Sequence, residues 1–90
     1  MARRPVELSP RALRDLQKLP AEAAEALLED MEVLGETPWP GPPKVKTLRG
    51  HDLYRLRTGD YRSIFEPRQG KVIVLRIVSR KELERILRTL

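Results

Sequence analysis

Asp52-Leu53-Tyr54-Arg55-Leu56-Arg57-Thr58-Gly59-Asp60-Tyr61-Arg62-Ser63-Ile64-Phe65-Glu66 reads as a β-hairpin, and that reading decides the fold. Leu53 to Arg57 and Tyr61 to Glu66 are the strands, and Thr58-Gly59-Asp60 supplies the turn. Successive side chains leave a strand on opposite faces. Leu53, Arg55 and Arg57 therefore share one face, Tyr54 and Leu56 the other, and Arg62 adds a guanidinium from the second strand. A hairpin with one face to pack and one studded with arginine suits a polyanion.

The segments on either side continue this pattern. Val45 to Leu48 is a weak strand ended by Arg49-Gly50. Pro67 to Gly70 is a second turn, and Lys71 to Val78 is almost continuously apolar, as expected of a central strand covered on much of both faces. Arg76 interrupts it and requires a partner or an open face. Ser79-Arg80-Lys81-Glu82 has the capping-box spacing that opens a helix, and Leu83, Ile86, Leu87 and Leu90 form one apolar stripe along it.

The first half reads differently. Arg4 to Leu8 reads as a short first strand. Ser9-Pro10 starts a helix, because serine caps orphan N–H groups and proline is tolerated at the first helical position. Leu13 and Leu16 lie on that helix, and Pro20 opens a second one. Ala23, Ala24, Leu27, Leu28, Met31 and Leu34 recur there at helical spacing, with Gly35 suited to the C-terminal cap. The two helices form a hairpin. The proline-dense connector Glu36 to Pro43 surrounds Trp39, which either plugs the edge of the core or meets a partner. The order β-α-α-β-β-β-α implies an α+β domain, an N-terminal helical hairpin packed on a mainly antiparallel sheet whose opposite face stays partly open and basic.

Charge follows the same division. Residues 1–43 hold five Lys/Arg and eight Asp/Glu, a net of −3, whereas residues 44–90 hold thirteen and five, a net of +8. One-sided basic charge is either the footprint of a nucleic-acid binder or a solvated arginine-rich surface. Ninety residues make a single domain. With no cysteine there is neither disulfide nor thiolate chemistry. The one histidine, His51, has no neighbouring ligand cluster, so no metal site is expected. No apolar run is long enough to span a bilayer. Met1-Ala2-Arg3-Arg4-Pro5 leads into no apolar signal segment, and a cytoplasmic protein is expected.

Taken together, Leu48-Arg49-Gly50, Tyr54-Arg55-Leu56-Arg57, Gly59-Asp60-Tyr61-Arg62 and Lys71-Val72-Ile73-Val74-Leu75-Arg76 resemble the RelE/ParE toxin superfamily of bacterial toxin–antitoxin systems, and its RelE branch in particular. The resemblance covers nearly the whole chain and is strongest from Lys44 to Arg80. It implies a helical hairpin on a curved antiparallel sheet, binding to the ribosomal A site and cleavage of mRNA there without metal or organic cofactor. The implied chemistry is attack of the RNA 2′-OH on the adjacent phosphate.

Carried onto this chain, the resemblance puts Arg62, Arg80 and Arg57 on transition-state charge. It puts Arg55 and Arg57, with Lys44, Lys46 and Lys81, on the RNA backbone. Guanidinium groups suit the task because they stay ionised and offer paired donors to phosphate. Many relatives have histidine where this chain has Ser79 and tyrosine where it has Glu84. Ser79 and Glu82 then suit a helix cap, and Glu84 a solvated helix face. The resemblance also implies an antitoxin partner, for which Leu83, Ile86 and Leu87 are the expected dock. A gyrase-poisoning ParE-like toxin and an inactivated binding relative are the alternatives.

Overall fold

A computed structural model describes residues 3–36, 39–48 and 53–89. Arg49-Gly50, which ends the weak strand, and His51 lie outside the described residues. The elements are β1 (Val6–Leu8), α1 (Pro10–Gln17), α2 (Ala21–Glu32), a 3₁₀ turn (Val33–Gly35), β2 (Val45–Thr47), β3 (Tyr54–Thr58), β4 (Tyr61–Arg68), β5 (Lys71–Ser79) and α3 (Arg80–Thr89). This is the expected α+β succession, with the weak strand expected from Val45 present as the short edge strand β2. Among the described residues, no helix is long and apolar enough to cross a membrane.

The five strands lie in the order β1-β5-β4-β3-β2. β2 to β5 form an antiparallel meander, and β1 pairs in parallel with β5. Helices α1 and α2 cover one sheet face. Ala12, Leu16, Leu27, Met31 and Leu34 pack there on Leu56, Phe65, Val72, Val74 and Ile77. Trp39 is a plug, as one of its two readings has it. Its indole N–H donates to the Leu34 carbonyl at 2.9 Å, and its ring meets Tyr54 and Phe65 edge-on at 5.1 and 5.2 Å. Leu13 and Leu28, both part of the apolar helical pattern, are each 44% exposed, so the buried stripe is narrower than the sequence pattern.

The other face is covered only in part. Helix α3 sets Leu83 on Leu48, Ile64 and Val78, with Leu53, Ile86 and Leu87 at the margin. Its start is the expected reciprocal box. The Ser79 N–H donates to Glu82 Oε1 at 3.0 Å, and the Glu82 N–H donates to Ser79 Oγ at 3.1 Å.

Two features depart from the sequence pattern. Gly35 is not a left-handed cap, since α2 runs into the 3₁₀ turn through Val33. It is small because the N-terminal segment crosses it. A Cβ there would lie 2.9 Å from the Arg4 carbonyl, and the Arg4 N–H donates to the Gly35 carbonyl at 2.7 Å. The second feature is a bulge in β5. Ile64 opposes Arg76 but Phe65 opposes Val74, which leaves Leu75 unmatched. Helix α1 satisfies the bulge. Its cap residue Ser9 accepts from the Ala12 N–H and donates its hydroxyl to the Leu75 carbonyl at 2.9 Å, and Asp15 accepts the Ile77 N–H at 2.9 Å. The partner that Arg76 requires is this same Asp15, at 2.8 Å.

Candidate nucleic-acid interface

The sheet area that α3 leaves open is arginine-rich because of strand register. Lys46 opposes Arg55, and Arg55 opposes Ile64. One row along, Arg57 opposes Arg62, and Arg62 opposes Val78. Directly opposed residues share a face, so Lys46, Arg55, Arg57 and Arg62 stand beside Ile64 and Val78 on the α3 side. Arg80, the first residue of α3, joins them, close enough for its charge to act on Arg62.

Among the described residues, no carboxylate forms an ion pair with this group. The ion pairs among the described residues join Arg3 to Glu36, Lys44 to Asp30, Arg68 to Glu66, Lys71 to Glu7 and Arg76 to Asp15. Arg55, Arg57, Arg62 and Arg80 are in none of them. Two of the four are instead held by carbonyls. Arg62, only 9% exposed, donates Nη1 to Gly59 O at 2.8 Å and Tyr61 O at 2.9 Å. Arg55 donates Nη1 to Pro43 O at 2.7 Å.

Burial, then the charges of Arg57 and Arg80, pull the Arg62 pKa below the ordinary guanidinium value, and nearby Asp60 offsets only part of this. Burial, then Arg62 and Arg57, act in the same direction on Arg55. Guanidinium stays charged at neutral pH regardless. The site therefore carries like charge that Asp60 offsets only in part, and an anion such as phosphate would relieve it.

Beside Arg80 lies a cleft of about 510 Å³ lined by Asp60, Ser79, Arg80, Lys81 and Glu84. Ser79 and Glu82 hold the helix start, and Glu82 is pulled below its ordinary pKa by the Ser79 N–H first and the Ser79 hydroxyl second. Glu84 is exposed on the cleft wall. Tyr54 and Tyr61 pack against the core under the helices. Among the described residues, no group of three His, Cys, Asp or Glu could hold a metal ion.

The structure thus brings Arg55, Arg57, Arg62, Arg80 and Lys46 together and leaves Lys81 exposed next to Arg80. Lys44 is different. Its ammonium is bound to Asp30 of α2 at 2.7 Å, away from the arginine face. Leu83 is buried on the sheet, with Ile86 and Leu87 half-buried beside it, so the apolar stripe of α3 closes on its own domain. Asp30 and Thr58, hydrogen-bonded to each other at 2.7 Å, carry no signal in the sequence pattern. Their contact spans 28 positions and joins two layers.

Over residues 6–84, the sequence matches the family of ParE toxins of the type II toxin–antitoxin system parDE. The chain belongs to the RelE/ParE toxin family. A Methanocaldococcus jannaschii protein named RelE1, described there as a candidate toxin, is 34% identical over 80 residues, 86% of this chain and 89% of that protein. Two RelE-like complexes share the fold at a TM-score of 0.73. The archaeal RelE–RelB complex of Pyrococcus horikoshii is 31% identical, covering 89% of this chain and 97% of that one. The toxin–antitoxin complex RelBE2 of Mycobacterium tuberculosis is 27% identical, covering 88% and 93%. As a RelE/ParE family member, the chain is a type II toxin.

Proposed function

We propose that this toxin cuts messenger RNA on the ribosome, and that Arg57, Arg62 and Arg80 stabilise the charge that develops on the phosphate. The observation that carries this reading is the grouping of these arginines, with Arg55, on one face without an ion-paired carboxylate among the described residues. In the reaction, the ribose 2′-oxygen attacks the adjacent phosphorus. The bond from phosphorus to the 5′-oxygen breaks, leaving a 2′,3′-cyclic phosphate. The 2′-OH proton passes to Glu84 or to water, because Glu82 is tied to the helix cap, and the 5′-oxygen takes a proton from solvent. Catalysis is then mostly charge stabilisation and positioning. Arg55 and Lys46 grip the RNA backbone, with Lys81 at the cleft. On this reading the protein works in the cytoplasm and needs no metal or organic cofactor.

The partner is an antitoxin, supported by the similarity to RelE–RelB complexes. It silences the toxin by covering the arginine face. An antitoxin segment that takes Leu83, Ile86 and Leu87 has to lift α3 from the sheet first.

Primer extension on message mixed with purified ribosomes and this protein tests the reading. New 3′ ends within codons are expected, and intact message would refute it. The ParE match favours one second reading, inhibition of DNA gyrase without RNA chemistry. Loss of supercoiling activity alongside intact message would select it.

A further inference from the structure

We propose that Asp30 is the positioning residue of the arginine face, acting from the opposite side of the sheet through Thr58 and Lys44. This rests on the reading of that face as the toxin's working surface. Asp30 lies near the end of α2, in the helical layer, and is only partly exposed. Its Oδ2 accepts from the Thr58 hydroxyl at 2.7 Å and from the Lys44 ammonium at 2.7 Å. Those hydrogen bonds and the Lys44 charge outweigh the burial that would raise its pKa, and hold it below the ordinary carboxylate value.

Each partner leads to a pair of arginines. Thr58 ends β3 and enters the tight turn through Gly59, whose φ of +58° suits glycine. Gly59 O and Tyr61 O hold the Arg62 guanidinium, and Asp60 O accepts the Arg80 N–H at 2.9 Å. A single turn thus sets where Arg62 and Arg80 stand relative to each other. On the other branch, Lys44 O accepts the Arg57 N–H at 2.8 Å, and its neighbour Pro43 O holds the Arg55 guanidinium at 2.7 Å. One carboxylate ties down both segments. A charge-stabilising site loses rate steeply when its groups shift by fractions of an ångström.

Thr58→Val and Thr58→Ser separate positioning from stability. Valine removes the hydroxyl but suits a strand at least as well as threonine, whereas serine keeps the hydroxyl and is the poorer strand former. Side-chain NMR of the Arg62 and Arg80 guanidinium groups is the first readout. Single-turnover cleavage of ribosome-bound message is the second. Thr58→Val should lose some thermal stability along with the hydrogen bond to Asp30, shift the Arg62 and Arg80 signals, and, measured well below its Tm, lower the cleavage rate on the order of tenfold with little change in RNA affinity. Thr58→Ser should be less stable yet keep wild-type signals and rate. Asp30→Asn should shift the signals of all four arginines. Unchanged arginine signals in Thr58→Val and Asp30→Asn, or an equal loss of rate in Thr58→Val and Thr58→Ser, would overturn the proposal. If the wild-type protein left message intact, the nuclease reading would fall, and the NMR comparison alone would decide the role of Asp30.

Discussion

Replacing Arg57 with glutamine should make this protein more stable and less active. Arg57 and Arg62 are directly opposed across β3 and β4, and like charges so placed cost roughly 0.2–1 kcal/mol. Arg57 also acts on Arg55, whose guanidinium is held nearby. Neutralising Arg57 relieves both repulsions, worth about 1 kcal/mol together at low ionic strength. For a domain of this size, that corresponds to roughly 4–8 °C in Tm. Urea unfolding followed by Trp39 fluorescence measures it at low salt and at about 1 M salt, where screening acts over about 3 Å. The gain should be clear at low salt and largely vanish at high salt, and cleavage should weaken in the same variant. A variant less stable than wild type at low salt, or a gain indifferent to salt, would refute the claim that the arginine face carries unrelieved repulsion.

Other outcomes follow from the same contacts. Asp15→Ala strands Arg76 and the Ile77 N–H at the bulge, and should cost about 2–4 kcal/mol, less than a fully buried pair because the Arg76 side chain is 29% exposed. A double-mutant cycle with Arg76→Met should show most of that cost as coupling, and independent effects would contradict it. Asp15, Asp30 and Glu82 all have folded pKa values below their unfolded ones. The unfolded chain therefore binds more protons in acid, and stability should be full above the ordinary carboxylate range near pH ~4 and fall as pH drops through the folded values. Urea midpoints that stayed level down to pH ~2 would contradict this. Ser63 is fully buried and its hydroxyl has no hydrogen-bond partner among the described residues, so Ser63→Ala should raise unfolding stability by about 1 kcal/mol in the same assay.

Local chemistry made much of this molecule legible in sequence. The hairpin, its glycine turn, the Ser9 cap and the Ser79–Glu82 box each depend on residues a few positions apart, and each stands where the spacing indicates. Strand alternation was enough to group Arg55 with Arg57. What the sequence left unread depends on distant chain. The Leu75 bulge is stabilised by Ser9 and Asp15, more than sixty positions away, and nothing near Arg76 names its partner. Gly35 looked like a helix cap, but its smallness serves the crossing Arg4 segment. Lys44 looked like one more basic side chain until the fold brought Asp30 beneath it. The stripe Leu83, Ile86 and Leu87 signals a surface to be covered, and the sheet buries Leu83 while Ile86 and Leu87 stay half-buried at its margin.

The chemistry at the cut end decides whether guanidinium groups on this sheet act on a phosphodiester. Ribosome-bound message should yield 3′ ends carrying a 2′,3′-cyclic phosphate, with the single-turnover rate falling on the order of 10²–10³ in Arg62→Ala and cleavage abolished by a 2′-deoxy nucleotide at the cut. Ends bearing a free 3′-hydroxyl, or a rate unchanged by Arg62→Ala, would contradict it.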